Sequence, residues 1–365
     1  MTSISQRGFA KLTLVIILGT TVLGGGFIVM RKNFRAPRWI FPVENPAPQT
    51  PQPVTFPAPP PSPPPSPPPA PAPQPTGLAP QGIFVTSNSN TLVQSLIKKP
   101  YVDGILIRAH WSTVQPSEGV FDWSSVDYRI GLAQAQGKKV SIAVFPGNKG
   151  ATPSWIYDKG VKKWESSISG TMPDPMSPLF YELWYKVVRE FGARYSNNPI
   201  VSHTVVCGST GLLCGLRFAD LPSNFNKDTL VQRWKETVDL YAEVFPNKLI
   251  GFEIHNTKGY GADLAESVLE HAYGKYGSKF GVFEEFLSDT APTGNLAQPV
   301  LDWGPKSGKT WCGFQAVSVL AGKLDGAYRH GYEDFGCKYI EIYGTDLNDP
   351  KYESVHEKWH ETIWK

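Results

Sequence analysis

Two acidic residues stand in runs whose alternation turns them to the inside of a sheet. In KLIGFEIH, which starts at Lys248, the apolar Ile250, Phe252 and Ile254 share one parity and leave Glu253 and His255 on the other. In KYIEIYG, from Lys338, Ile340 and Ile342 take one face, so Glu341 and Tyr343 take the opposite one, with Asp346 on the loop beyond. GILIRAHW, from Gly104, offers Arg108 and His110 on one parity and ends on Trp111. Asn256 follows His255, and Gln315 lies in TWCGFQAV. Carboxylates among fork donors, amides and aromatic faces form a set that can move protons and read a hydroxyl-rich ligand. Glu253 and Glu341 are the candidate proton-transfer groups, and Arg108, His110, Trp111, His255, Asn256, Gln315, Tyr343 and Asp346 the candidate ligand contacts. The structural alternative is Arg108 paired with Glu341, because interior charges survive only when paired. Glu284 and Glu285 are adjacent and so face opposite ways in a strand. His110, His203 and His255 have neither His-x-His nor His-x-x-x-His spacing, so no metal is expected, nor any cofactor.

These runs belong to a regular series. Eight short β-branched segments begin at Gly82, Gly104, Lys139, Ser202, Lys248, Gly281, Thr310 and Lys338. Helical patterns lie between them at 127–136, 178–195, 227–244, 262–276 and 323–335, while 288–309 reads as loop. Strands alternating with helices predict a parallel sheet. Eight such units in the 285 residues 81–365 fit a closed (β/α)8 TIM barrel, and no G-x-G-x-x-G follows the first strand to suggest an open nucleotide-binding sheet. On such a barrel the candidate residues gather at or near the C-terminal strand ends.

The segment VDGILIRAHWSTVQPSEGVFDWSSVD resembles glycoside hydrolase barrels of the β-galactosidase-like and cellulase-like kind, which carry a strand, a tryptophan, a short loop and then P-x-x-G-x-F/Y-D-W. The likeness extends through KKVSIAVFPG, Pro153-Ser154-Trp155, ARYSNNPIVSH and YIEIYGTDLNDP. It implies action on glycosidic bonds, with a glutamate acid/base after the fourth strand and a glutamate nucleophile after the seventh. The chain departs at both places: VVCGSTGLLCGLRFADLP follows the fourth strand, and Gln315 stands where the second carboxylate would be. A neutral amide cannot form the glycosyl ester. Two readings follow: a hydrolase that uses Glu253 and Glu341, or a degenerate barrel that binds or displays without hydrolysis. Trp111 is the best candidate for stacking on a pyranose face.

The first eighty residues lack the composition of a folded core. Leu12–Met30 holds no charge over nineteen residues, and as a helix it would run roughly 28 Å, enough to cross a bilayer. A transmembrane helix at 12–30 is expected after a cytoplasmic 1–11, with a cleaved signal peptide as the alternative. Residues 31–80 read as a disordered proline-rich linker: between Pro42 and Pro80 nineteen of thirty-nine residues are proline, which excludes helix and sheet and extends the chain by roughly 120 Å. The span is flanked by Arg7 and Lys11 before it and by Arg31, Lys32, Arg35 and Arg38 after it, a bias that opposes an outward C-terminus. The stalk and the even cysteine number favour a single-pass membrane protein with its C-terminal domain extracytoplasmic. Cys207 with Cys214 and Cys312 with Cys337 are the plausible bridges, against four buried thiols. A net charge of +3 with scattered basic residues gives no phosphate-tracking surface, so the expected partners are carbohydrate and membrane, not nucleic acid.

Overall fold

The computed structural model describes residues 79–147 and 149–365. The span expected at 12–30, the segment 1–11 and all but the last two residues of the 31–80 linker lie outside the described residues. Among the described residues no helix is long and apolar enough to cross a membrane.

All eight expected strands form: β1 Gly82–Thr86, β2 Gly104–His110, β3 Lys139–Phe145, β4 Val201–Val205, β5 Leu249–Glu253, β6 Phe280–Leu287, β7 Cys312–Ala316 and β8 Tyr339–Tyr343. They pair in parallel and in chain order, and β8 closes on β1 from Gly82–Tyr339 to Thr86–Tyr343. The helices Pro178–Tyr195 and Lys227–Val244 match expectation to the residue. Pro178 opens the first with the φ a helix needs, and the Asn226 side chain caps the second by accepting from the Thr229 amide. Leu230, Trp234, Val238 and Tyr241 form the buried stripe of that second helix. The helix expected at 323–335 is shorter. Leu324–Arg329 runs into a π-turn at His330–Asp334, where Gly331 packs under Ile340 and Leu287. The stretch read as loop between β6 and β7 contains a short helix, Ala297–Trp303. An unexpected antiparallel hairpin, Lys163–Ser166 with Gly170–Pro173, lies in the connection after β3 and buries Trp164 and Met172 as a cross-strand pair.

Aromatic rings fill the lower half of the barrel. Phe84, Phe283 and Tyr339 cluster there, and His203 sits 4.5 Å from Tyr339 and 5.5 Å from Trp311, ring centre to ring centre. They fit because the facing strands carry glycine. A Cβ at Gly104 would stand 2.3 Å from Phe84, one at Gly281 2.1 Å from Trp311, and one at Gly313 2.5 Å from Tyr339. The strand-start end is therefore a packed floor, and polar side chains accumulate at the other end.

Both expected disulfides are present, Cys207–Cys214 and Cys312–Cys337, and the described residues contain no free cysteine. The second ties β7 to the start of β8 across 25 residues. Replacing Cys312 and Cys337 together by serine is expected to cost about 3 kcal/mol, most of it by freeing the unfolded chain, and to appear as a lower urea midpoint with an intact folded baseline.

Candidate active site at the mouth of the barrel

The site begins with Arg108. On β2 the buried Ile105, Ile107 and Ala109 face the helices, so Leu106, Arg108 and His110 turn inward. The Arg108 guanidinium crosses the barrel and donates through Nη2 to Glu285 on β6 and to Gln315 on β7. The structural pairing expected with Glu341 is thus replaced by one with Glu285. Glu285 lies inside because it shares parity with Gly281 and Phe283, which pack against the floor, while Glu284 faces the helix layer and accepts from the Phe286 amide at 2.6 Å. The register slips between Glu284 and Leu287 against β7, which brings Phe286 to the rim.

A second guanidinium comes from the loop after β4. The Cys207–Cys214 bridge closes this loop, and Gly215, at φ +74°, passes so close that a Cβ there would be 2.6 Å from the His255 ring. Two residues on, Arg217 lies 3.6 Å from Glu285 Oε2 and 4.9 Å over the Phe286 ring. His255 Nε2 is 3.2 Å from Glu253 Oε2 and 3.7 Å from Glu285 Oε2. Glu253, His255 and Glu285 thereby bring ligand atoms within 4.8 Å of one another. A divalent ion would find three donors there, but Arg108 and Arg217 already supply the positive charge that the carboxylates require.

Burial shapes the acidities. Glu253 is pushed up to about 7 by loss of water, with Arg108 and Arg217 pulling the other way. Glu341 is wholly buried, receives the Tyr339 hydroxyl and rises to about 8, again through burial opposed by Arg108. Glu285 is raised by burial and by repulsion from Glu253, against Arg108, His255 and Arg217. Burial lowers His255 to about 4, so its ring is neutral at neutral pH. For Arg108 burial works against the charge, but Glu285, Glu341 and Glu253 overcome it and its pKa is raised.

The remaining expectations divide. Gln315 joins the cluster, Tyr343 and His110 line clefts beside Arg108, and the exposed Asn256 lines a cavity of about 600 Å³ with Arg217, His255 and Phe286. Trp111 does not face a ligand. The strand ends one residue earlier, at His110, so Trp111 turns into the helix layer, fully buried between Trp155, Phe180 and Trp184, and donates to Gln115 Oε1 at 2.7 Å. Asp346 is likewise structural: in the turn of helix after β8 its buried carboxylate accepts from the Leu320 amide at 2.8 Å and holds the loop after β7. Sequence reasoning missed Glu285 and Arg217. The first was recoverable only if Phe283 had been placed inside, and the second had no periodic signal.

The structure is a closed parallel (β/α)8 barrel with buried acids at its strand ends, and part of its sequence is similar to glycoside hydrolases of the β-galactosidase kind. Residues 97–206 match the Glyco_hydro_42 family model, described as beta-galactosidase. That stretch ends at Val206, just before the loop in which the resemblance would place a glutamate and in which this chain has none. Similar solved structures are the β-galactosidase of the psychrophilic Marinomonas ef1 (12% identity, TM-score 0.52, 78% of this chain and 59% of that one) and the catalytic domain of the Paenibacillus polymyxa β-amylase (10%, 0.56, 76% and 96%). A third is the cold-adapted β-galactosidase of Rahnella sp. R3 (10%, 0.54, 81% and 57%). At these identities the likeness is one of fold, and the chain spans 59% and 57% of the two β-galactosidases. No curated protein matches the sequence.

Removing Arg108 leaves Glu285 buried beside Glu253 with one guanidinium fewer. Arg108→Met is expected to cost about 3 kcal/mol, and Arg108→Met with Glu285→Gln to recover much of it, in a double-mutant cycle of chemical denaturation. Glu253 gives a pH test. Its folded value of about 7 lies above the ordinary 4.5, so its contribution to stability is complete below pH 4.5 and is lost as pH rises through 7. Glu253→Gln should therefore melt with the parent at pH 4 and several degrees above it at pH 8.

Proposed function

We propose that the chain is a membrane-anchored, extracytoplasmic barrel that hydrolyses glycosidic bonds of a polysaccharide or glycan. The observation that carries this reading is the pair Glu253 and Glu285 on adjacent strands of a glycoside-hydrolase-like barrel, with oxygens within 4.8 Å through the His255 cluster. Their surroundings differ. Burial keeps a proton on Glu253 to about pH 7, whereas Glu285 sits against both guanidiniums. The two guanidiniums beside Glu285 favour its charged form, so the two carboxyls are set up for different roles. Glu253 gives its proton to the leaving oxygen as the C–O bond breaks. The Glu285 carboxylate attacks the anomeric carbon, as a short carboxyl spacing of about 5 Å allows. Water then displaces Glu285 and returns a proton to Glu253. Glu341, bonded to Tyr339 and fully buried, supports the charge balance beneath them rather than partnering Glu253.

The two disulfides favour an oxidising compartment, which supports an outward domain carried by the 12–30 span and the proline-rich linker. Deleting residues 1–30 should move the protein from the membrane fraction to the soluble one.

The decisive assay incubates the full chain, in detergent, with a panel of plant, algal and bacterial polysaccharides and reads new reducing ends. Turnover is expected on at least one, and Glu253→Gln and Glu285→Gln should each lower kcat by about 100-fold or more. Full turnover in either variant would overturn the assignment. Glycan binding without turnover by the parent protein would instead make it a catalytically degenerate binding or display barrel.

A further inference from the structure

Three cavities open around the acid cluster, and the charges that line them have one sign. The cleft of about 280 Å³ under Tyr343 is lined by Arg108 and Arg129, and the neighbouring one of about 340 Å³ by Arg108, His110 and Arg129. The cavity of about 600 Å³ on the far side presents Arg217, His255 and Lys258. No aspartate or glutamate lines any of the three. The carboxylates of the site lie below: Glu253, Glu285 and Glu341 are at most 4% exposed, while the Arg108 and Arg217 side chains are 21% and 25% exposed above them.

The positive charge exceeds what these acids can offset. Arg108 and Arg217 share the single carboxylate of Glu285. Arg129 has no carboxylate at all among the described residues. Its Nε donates to Asn90 Oδ1 at 2.8 Å, and its Nη1 and Nη2 donate to the Ser87 and Asn88 carbonyls at 2.9 Å, which fixes the group against neutral oxygens and leaves two N–H bonds to spare. A guanidinium pinned by carbonyls and facing a cleft is prepared for an external anion, because its orientation costs nothing further on binding. Lys258 is exposed at the opposite end of the mouth. Glu253 and Glu341 are buried beneath the guanidiniums and line none of the three cavities.

We infer that the glycan taken by this barrel is an acidic one, whose carboxylate or sulfate groups are read by Arg129 on one side of the acid cluster and by Lys258 on the other. The inference rests on the carbohydrate-active reading above and names its substrate class. A neutral oligosaccharide would leave Arg129 without a counter-ion, whereas a chain with an anion on successive sugars reaches both cations while one bond lies over Glu253 and Glu285.

The test measures binding of three hexasaccharides to the full chain by calorimetry at 50 and 300 mM NaCl: hexagalacturonate for the carboxylate source, a κ-carrageenan hexamer for the sulfate source, and β-galactohexaose as the neutral control. At least one acidic hexamer is expected to bind tenfold or more tightly than the neutral one at low salt and to lose most of that advantage at high salt. Whichever acidic hexamer wins identifies the anion. Arg129→Gln should weaken its binding about tenfold and leave the neutral hexamer unchanged. Lys258→Gln, at an exposed position, should weaken it about threefold, and serves if Arg129→Gln melts abnormally. Equal binding of neutral and acidic hexamers, or acidic binding untouched by both substitutions, overturns the inference. Cleavage of the neutral hexamer alone sinks it while leaving hydrolysis standing, and tight acidic binding without cleavage upholds it while removing hydrolysis.

Discussion

One buried carboxylate shared by two guanidiniums holds the mouth of this barrel together. Glu285 receives Arg108 from β2, on the far side of the ring, and Arg217 from the loop after β4, and Arg108 carries Gln315 of β7 into the same network. An ionised carboxyl removed from water is tolerated only with such compensation. The interaction therefore also fixes where the loop after β4 must lie, and the Cys207–Cys214 bridge with Gly215 sets that loop against His255. The pairing of β5 with β6 sets Glu253, His255 and Glu285 side by side, and the two guanidiniums compensate the charge gathered there.

Apolar and polar contents are layered along the barrel axis. Phe84, His203, Phe283, Trp311 and Tyr339 occupy the lower half, matched to glycines on facing strands, and even His203 is held neutral there, its pKa lowered to about 3 by burial. The hydroxyl of Tyr339 marks the boundary by donating upward to Glu341. Above that level the medium is poor in water but rich in fixed charge, and this separates the acidities of neighbouring glutamates. The same layering explains a rim that is cationic although acids outnumber bases in the cluster beneath: the guanidiniums have long stems that carry them toward water, and the carboxylates do not.

The strands were legible because each is a compact β-branched run with its own punctuation, and Glu253, Glu341 and Arg108 were placed inside by parity alone. Parity failed at GVFEEFL, where Val282 and Phe283 are equally apolar and the choice between Glu284 and Glu285 depends on whether Phe283 finds Tyr339 across the barrel. That contact is long-range and leaves no mark in the local pattern. Trp111 was misplaced because the strand stops at His110 and a single turn of helix reverses its direction. Asp346 was misplaced for a related reason: a carboxylate just past a strand end looks available until one knows that the Leu320 amide needs a partner. Arg217 could not have been found, since an irregular loop shaped by a disulfide has no period to read.

The packed floor has a directional consequence. Ala79, Pro80 and Gln81 lie beside Trp311, Leu249 and Lys338, so the chain joins the barrel at its sealed end. The charged groups of the cluster lie toward the opposite end, above the layer of rings formed by Phe84, His203, Phe283, Trp311 and Tyr339. The opening of the barrel is therefore the end away from residues 79–81, and a long polymer lying across it would not meet the point where the chain enters the barrel.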